Sequence, residues 1–174
     1  APELLTDSKY YGSGVDTWSV GCIFAEILSR RPLFQGKDYM HQLQVIIELL
    51  GTPSTEEMDF ISNSSARRAI QSFGKHRKRN LARMSQFQGC NPLGLDLLQK
   101  MLVFDPQGRC TIDEALEHPY LADLHDENEV PVASEMFDLN FEQGYKGEMP
   151  KDVMQRLIYD DMVKFHPEEI FYTR

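Results

Sequence analysis

Positive charge is what this sequence is short of: 18 Lys and Arg stand against 27 Asp and Glu, a formal net charge of -9 over 174 residues. That balance argues against non-specific binding to nucleic acid or anionic membranes and leaves room for basic partners, while saying nothing about fold. Cysteine is scarce as well. Cys22, Cys90 and Cys110 are odd in number and lack C-x-x-C spacing, which reads as reduced thiols in a cytosolic or nuclear protein and argues against a disulfide scaffold or a cysteine-rich metal site. No apolar run approaches the roughly 18 residues that span a bilayer, and no basic-then-apolar leader opens the chain. No stretch reads as a strand, and there is no internal repeat or low-complexity segment. None of the five histidines stands at ligand spacing from another His or Cys. The 41% of apolar residues is ordinary and sufficient for one domain with a core. Ala1 stands where Met would, which reads as a fragment.

The chain is organised around residues 16–28, DTWSVGCIFAEIL. Trp18, Val20, Cys22, Ile23, Phe24, Ile27 and Leu28 are spread around a helical wheel, so the pattern predicts a helix buried on nearly all sides. Ser13 to Asp16 matches a capping box, Arg30 and Arg31 supply cations at the far end, and Pro32 stops the run. A second, amphipathic helix is predicted over 38–50, closed by Gly51. Residues 55–61 and 65–73 read as short helices inside a polar insert, and 92–104 as a helix with a Leu/Met stripe. Thr111-Ile112-Asp113-Glu114 is a capping box opening a short helix through Glu117, which His118-Pro119 closes. An acidic loop and a polar linker fill 122–149, and a last helix runs over 151–165 after Pro150. The basic run 75–79, weighed against a chain of -9, reads as a solvated insert loop rather than a nuclear-targeting or nucleic-acid element.

Four short patterns follow in fixed order: Ala1-Pro2-Glu3; Asp16-x-Trp18-Ser19-x-Gly21; Asp105-Pro106-x-x-Arg109-x-Thr111; and His118-Pro119-Tyr120. Each alone is weak, but together they resemble the C-terminal lobe of a eukaryotic protein kinase. Trp18-Ser19-Val20-Gly21-Cys22-Ile23 and Arg31-Pro32-Leu33-Phe34-x-Gly36 resemble the stretch shared by MAP kinases and cyclin-dependent kinases. Gly51-Thr52-Pro53-Ser54, the long insert after it and the extension past His118-Pro119-Tyr120-Leu121 favour the MAP kinase branch of the CMGC group. The resemblance covers essentially all 174 residues. It implies a mainly α fold, the helical C-lobe of the kinase fold, with the β-rich N-lobe and catalytic loop outside this chain. Residues 1–121 would be a partial kinase domain with a MAP-kinase-type insert at about 52–91, and 122–174 a C-terminal extension with an acidic docking loop and a terminal helix.

The resemblance also assigns roles. Glu3 would pair with Arg109, tying the end of the activation segment to the helical core, and Asp16 would anchor the catalytic loop. Within the acidic cluster of Asp123, Asp126, Glu127 and Glu129, Asp126 and Glu129 align with the common docking site that holds basic docking peptides. Leu5, Tyr39, Met40 and Leu43 resemble a hydrophobic docking pocket, with Ala69 where the family often carries an aromatic. Phosphoryl transfer requires a Gly-rich loop, a strand lysine, a catalytic-loop Asp and Asn, and the Asp-Phe-Gly aspartate. None is encoded here; Ser72-Phe73-Gly74 and His76-Arg77 lie in reversed order and lack the aspartates. The expectation is therefore no catalytic, nucleotide-binding or metal-binding residue in this chain, with ATP and magnesium implied only for a full-length parent that phosphorylates Ser/Thr-Pro sites. Implied partners are upstream kinases, substrates and phosphatases, with no nucleic acid and no membrane, and the implied location is cytoplasm or nucleus. A reading from another class is a non-catalytic docking module that binds basic docking peptides.

Overall fold

A computed structural model describes residues 1–8, 11–124, 133–136 and 149–168. Among these the regular elements are all helical: α1 (Pro2–Leu5), α2 (Gly14–Ser29), α3 (Tyr39–Leu50), α4 (Ser64–Ser72), α5 (Pro92–Met101), α6 (Ile112–Leu116) and α7 (Lys151–Phe165). The chain divides into two compact units, Ala1–Glu127 and Asn128–Arg174. The first holds the core and the second contains α7, whose apolar residues Ile158 and Phe165 are exposed. No helix among the described residues is long and apolar enough to cross a membrane.

Local chemistry sets most helix ends. The Asp38 carboxylate accepts the His41 amide at 2.8 Å to open α3, and Asn63 and Asn91 do the same for α4 and α5. At α6 the Thr111 hydroxyl takes the Glu114 amide at 3.1 Å while the Glu114 carboxylate takes the Thr111 amide at 2.8 Å, a complete capping box. The box expected at Ser13 and Asp16 does not form. Ser13 is already helical, at φ -56 and ψ -19, which aims its hydroxyl away from the amides it would cap. The amides of Val15 and Asp16 go instead to the carbonyls of Gly12 and Ser13. At the other end Arg30 takes a left-handed turn at φ 59, and its amide reaches Glu26 O at 2.7 Å.

The centre of the first unit is where α2 crosses α5. A Cβ on Gly21 would lie 3.0 Å from both Leu102 Cδ2 and Met101 Cβ, so glycine is what permits this approach. Trp18, Ala25, Ile47, Leu98 and Leu102 share the core between α2, α3 and α5, and Trp18 stacks on Phe34 with centroids 5.6 Å apart. The opposite face of α2 is uncovered: Val20, Ile23 and Ile27 are 46, 60 and 58% exposed. The expectation of a helix buried on nearly all sides thus holds for its composition but not for its surroundings among the described residues. Apolar residues all round predict a second packing layer, and the described chain supplies one.

Candidate functional site: a buried clamp and an apolar pocket

Glu3 and Arg109, 106 residues apart, meet in the interior with side chains each 1% exposed. Short α1 presents Glu3; Pro2 starts it and the Thr6 hydroxyl closes it on Pro2 O at 3.0 Å. Arg109 follows a tight turn in which Asp105 accepts the Gln107 amide at 2.9 Å. The contact is a fork: Nη1 donates to Oε1 at 2.6 Å and Nη2 to Oε2 at 2.7 Å. The remaining donors go to Gly14 O at 2.7 Å, Val103 O at 2.9 Å and, more weakly, Phe104 O at 3.4 Å. The guanidinium also lies over the Trp18 ring, 4.9 Å from its centroid. One side chain therefore ties α1, the start of α2 and the segment after α5. It also explains why the helix predicted to Phe104 ends at Met101: the carbonyls of Val103 and Phe104 leave the helical direction to meet the guanidinium.

Asp16 lies in the first turn of α2, exposed, and its carboxylate has no side-chain or ion-pair partner among the described residues. Its surroundings here amount to an acid at a helix N-terminus, where the dipole favours it. Leu5, Tyr39, Met40 and Leu43 do come together, lining an open pocket of about 520 Å³ between α1, α3 and α4, with Ala69 on the far wall. Leu43 is buried at its base and Tyr39 is exposed at its rim. Asp126 and Glu129 lie outside the described residues; their neighbour Asp123 is exposed.

Sequence reasoning missed the polar network behind α5. Buried His118 is more than a turn residue: its Nε2 bonds Asp96 Oδ2 at 3.0 Å, and its Nδ1 accepts the Tyr120 amide at 3.2 Å. Lys100 Nζ also reaches Asp96, at 2.8 Å, and the bonds from Lys100 and then His118 hold the Asp96 carboxyl below its usual range. The i,i+4 spacing of Asp96 and Lys100 was a visible signal; the contact with His118 across the turn was not. Burial raises the Cys22 thiol, and burial followed by the Glu114 charge raises Cys110, so neither is an activated nucleophile.

No group of three His, Cys, Asp or Glu among the described residues is placed to hold a metal ion. Ser72, Phe73 and Gly74 are the end of α4 and a left-handed turn at φ 84, and His76 is bonded to Phe73 O at 2.9 Å. These are structural assignments, and no chemical step is routed through them.

What the helices and the clamp describe is a scaffold of the kind found beneath a phosphotransfer site. The protein kinase domain family matches residues 1–121, and the chain belongs to that family. Among its relatives, extracellular signal-regulated kinase 1 of Dictyostelium discoideum is 47% identical over 169 residues, 97% of this chain and 31% of that protein. Mitogen-activated protein kinase 1 of Oryza sativa subsp. japonica is 45% identical over 168 residues, 97% of this chain and 41% of that protein. Mitogen-activated protein kinase 5 of Arabidopsis thaliana is 46% identical over 167 residues, 96% and 43% of the two chains. Within the kinase family the chain is thus MAP-kinase-like, and it spans less than half the length of these curated relatives.

Proposed function

We propose that these residues form the helical base of a MAP-kinase-like serine/threonine kinase that works in the cytoplasm or nucleus and phosphorylates Ser/Thr-Pro sites with Mg-ATP. In that reading the base carries the substrate-side segment and the docking surfaces, while the phosphotransfer groups belong to sequence outside it. The observation that supports it most is the buried fork of Glu3 and Arg109: it fixes the segment at Ala1 rigidly against α2. A segment that must position a substrate needs such restraint, because misplacement by about 1 Å can cost about 100-fold in rate.

Docking is the second half of the proposal. The pocket of Leu5, Tyr39, Met40 and Leu43 would take an apolar or aromatic side chain of a substrate or regulator, with Ala69 leaving room at its far wall. Asp126 and Glu129 would attract basic docking peptides from upstream kinases, substrates and phosphatases, raising encounter rates more than affinity.

The test is a graft. The sequence upstream of the matching region in the Dictyostelium relative is fused to Ala1, the product is phosphorylated by its upstream kinase, and transfer to a Ser-Pro peptide is measured. Activity that Arg109→Gln greatly reduces is the expected outcome. A folded graft that binds ATP yet never phosphorylates the peptide would refute the proposal. Docking is read on the same graft, where Asp126→Ala with Glu129→Ala should weaken a basic peptide and leave the short Ser-Pro peptide unaffected.

A further inference from the structure

Charge is unevenly distributed along this acidic chain. Residues 60–95 hold seven of its 18 Lys and Arg and none of its 27 Asp and Glu, so the remaining residues carry 11 against 27. Two of the seven have local partners: Arg67 reaches Asp59 at 3.8 Å, and Arg68 bonds the Ser65 hydroxyl at 3.1 Å. The other five, Lys75, Arg77, Lys78, Arg79 and Arg83, are exposed, and none has an ion-pair partner among the described residues. Satisfying the negative end of α3 would take one or two of these cations, so a run of five exceeds what helix capping requires.

The backbone beneath them is fixed. The Thr52 hydroxyl donates to Gly74 O at 2.9 Å and accepts the His76 amide at 2.8 Å. The Thr52 amide reaches His76 O at 3.1 Å, and the Arg79 amide reaches Leu49 O at 2.9 Å. Gly51 makes this docking possible, turning at φ 93 directly under Lys78. Downstream, Arg79, Asn80, Arg83 and Ser85 border an open concavity of about 650 Å³ with no acid in its wall. The backbone that carries the basic run is therefore anchored at Gly74, His76 and Arg79, where the sequence alone suggested only a solvated loop. Fixing it in advance removes part of the ordering cost of binding.

We propose that this basic ridge docks a short acidic segment of a partner protein, laid along residues 75–79 with one carboxylate in the concavity between Arg79 and Arg83. The ridge shares no residue with the pocket and acidic loop proposed above, and it recognises a charge opposite to the one the acidic loop would take. A receptor for unfolded basic signals would have to detach the backbone bonds to Thr52 and Leu49, which disfavours that occupant. A nucleic acid adds a charge every few ångströms along each strand. It would need more than five cations, and the rest of this chain carries 13 cations against 27 acids, a balance that repels it. A peptide with three or four carboxylates matches the ridge and stops.

The experiment measures fluorescence anisotropy of a labelled octapeptide alternating Glu and Gly, titrated with the full 174-residue chain at low and physiological salt. Comparison probes are the Gln/Gly octapeptide, an eight-nucleotide oligo-dT and phosphatidylserine vesicles. The expected result is binding of the Glu peptide alone, weakened about tenfold or more as salt rises, because exposed pairs are screened. Arg77→Glu with Arg79→Glu should reduce binding at least about tenfold. Lys75→Glu alone, which touches no backbone bond, should reduce it severalfold with an unchanged melting temperature. Equal binding of the Gln peptide, tighter binding of oligo-dT or vesicles, or indifference to both sets of charge reversals would overturn the proposal.

Discussion

Replacing Glu3 by Gln keeps the shape of the buried fork and removes its charge, so the whole of Arg109 must then be neutralised by carbonyl dipoles. Both side chains are 1% exposed, so water cannot substitute. Removing one partner of such a pair costs about 3–5 kcal/mol, most of it the burden of the charge left behind. For a chain of this size about 1 kcal/mol moves the melting temperature by about 2–4 °C, so a fall of about 6–20 °C is expected. Arg109→Lys should be nearly as damaging, because an ammonium cannot span Glu3, Gly14, Val103 and Phe104 at once. The apolar double variant Glu3→Met with Arg109→Met should cost clearly less than the two single losses combined, since no charge is stranded. Urea unfolding followed by circular dichroism reads all three. A Glu3→Gln variant within about 0.5 kcal/mol of wild type would mean that α1 is frayed in solution, and the clamp argument would fail.

Three smaller perturbations probe the rest of the fold. Gly21→Ala puts a methyl 3.0 Å from Leu102 and Met101 and should cost about 1–3 kcal/mol by overpacking, read in the same unfolding assay. Asp96→Asn should destabilise at neutral pH, with the gap closing in acid. The bonds from Lys100 and then His118 hold the folded carboxyl below the usual carboxylate range, so its contribution is complete above that range and is lost as pH falls through the lower folded value. Melting curves at neutral and strongly acid pH decide this; a gap that stays constant would count against the bonds from Lys100 and His118. Ile23→Glu with Ile27→Lys should leave stability within about 1 kcal/mol, because both sites are more than half exposed, and should reduce self-association in sedimentation velocity. A large loss of stability would mean that this face of α2 is covered in solution.

Helix positions were legible because their signals are local. Thr111 caps where its spacing to Glu114 said a helix should begin, the helices opened by Asp38, Asn63 and Asn91 start within a residue of where periodicity set them, and α7 runs over the predicted 151–165. Apart from Ser13, where the cause is local, the failures arise because a distant partner decided the outcome. Ser13 has the right spacing for a capping box, but a preceding turn made its backbone helical. The stripe over 92–104 looks continuous, but Arg109 draws off its last carbonyls. The partner of buried His118 is Asp96, 22 residues earlier. The basic run gave no hint of being anchored, because its anchor is Thr52 on another segment. For the site, the family resemblance implied the pairing of Glu3 with Arg109 and the grouping of Leu5, Tyr39, Met40 and Leu43, which the fold sets around one pocket. Composition alone would have found none of them.

The central claim is that these residues carry the base of a kinase and none of its phosphotransfer chemistry. Calorimetry with Mg-ATP tests it most directly, run on the 174-residue chain and on the graft side by side, with circular dichroism confirming helix in both. The account predicts saturable binding to the graft and no saturable heat from the chain alone. Micromolar Mg-ATP binding by the chain alone would contradict it.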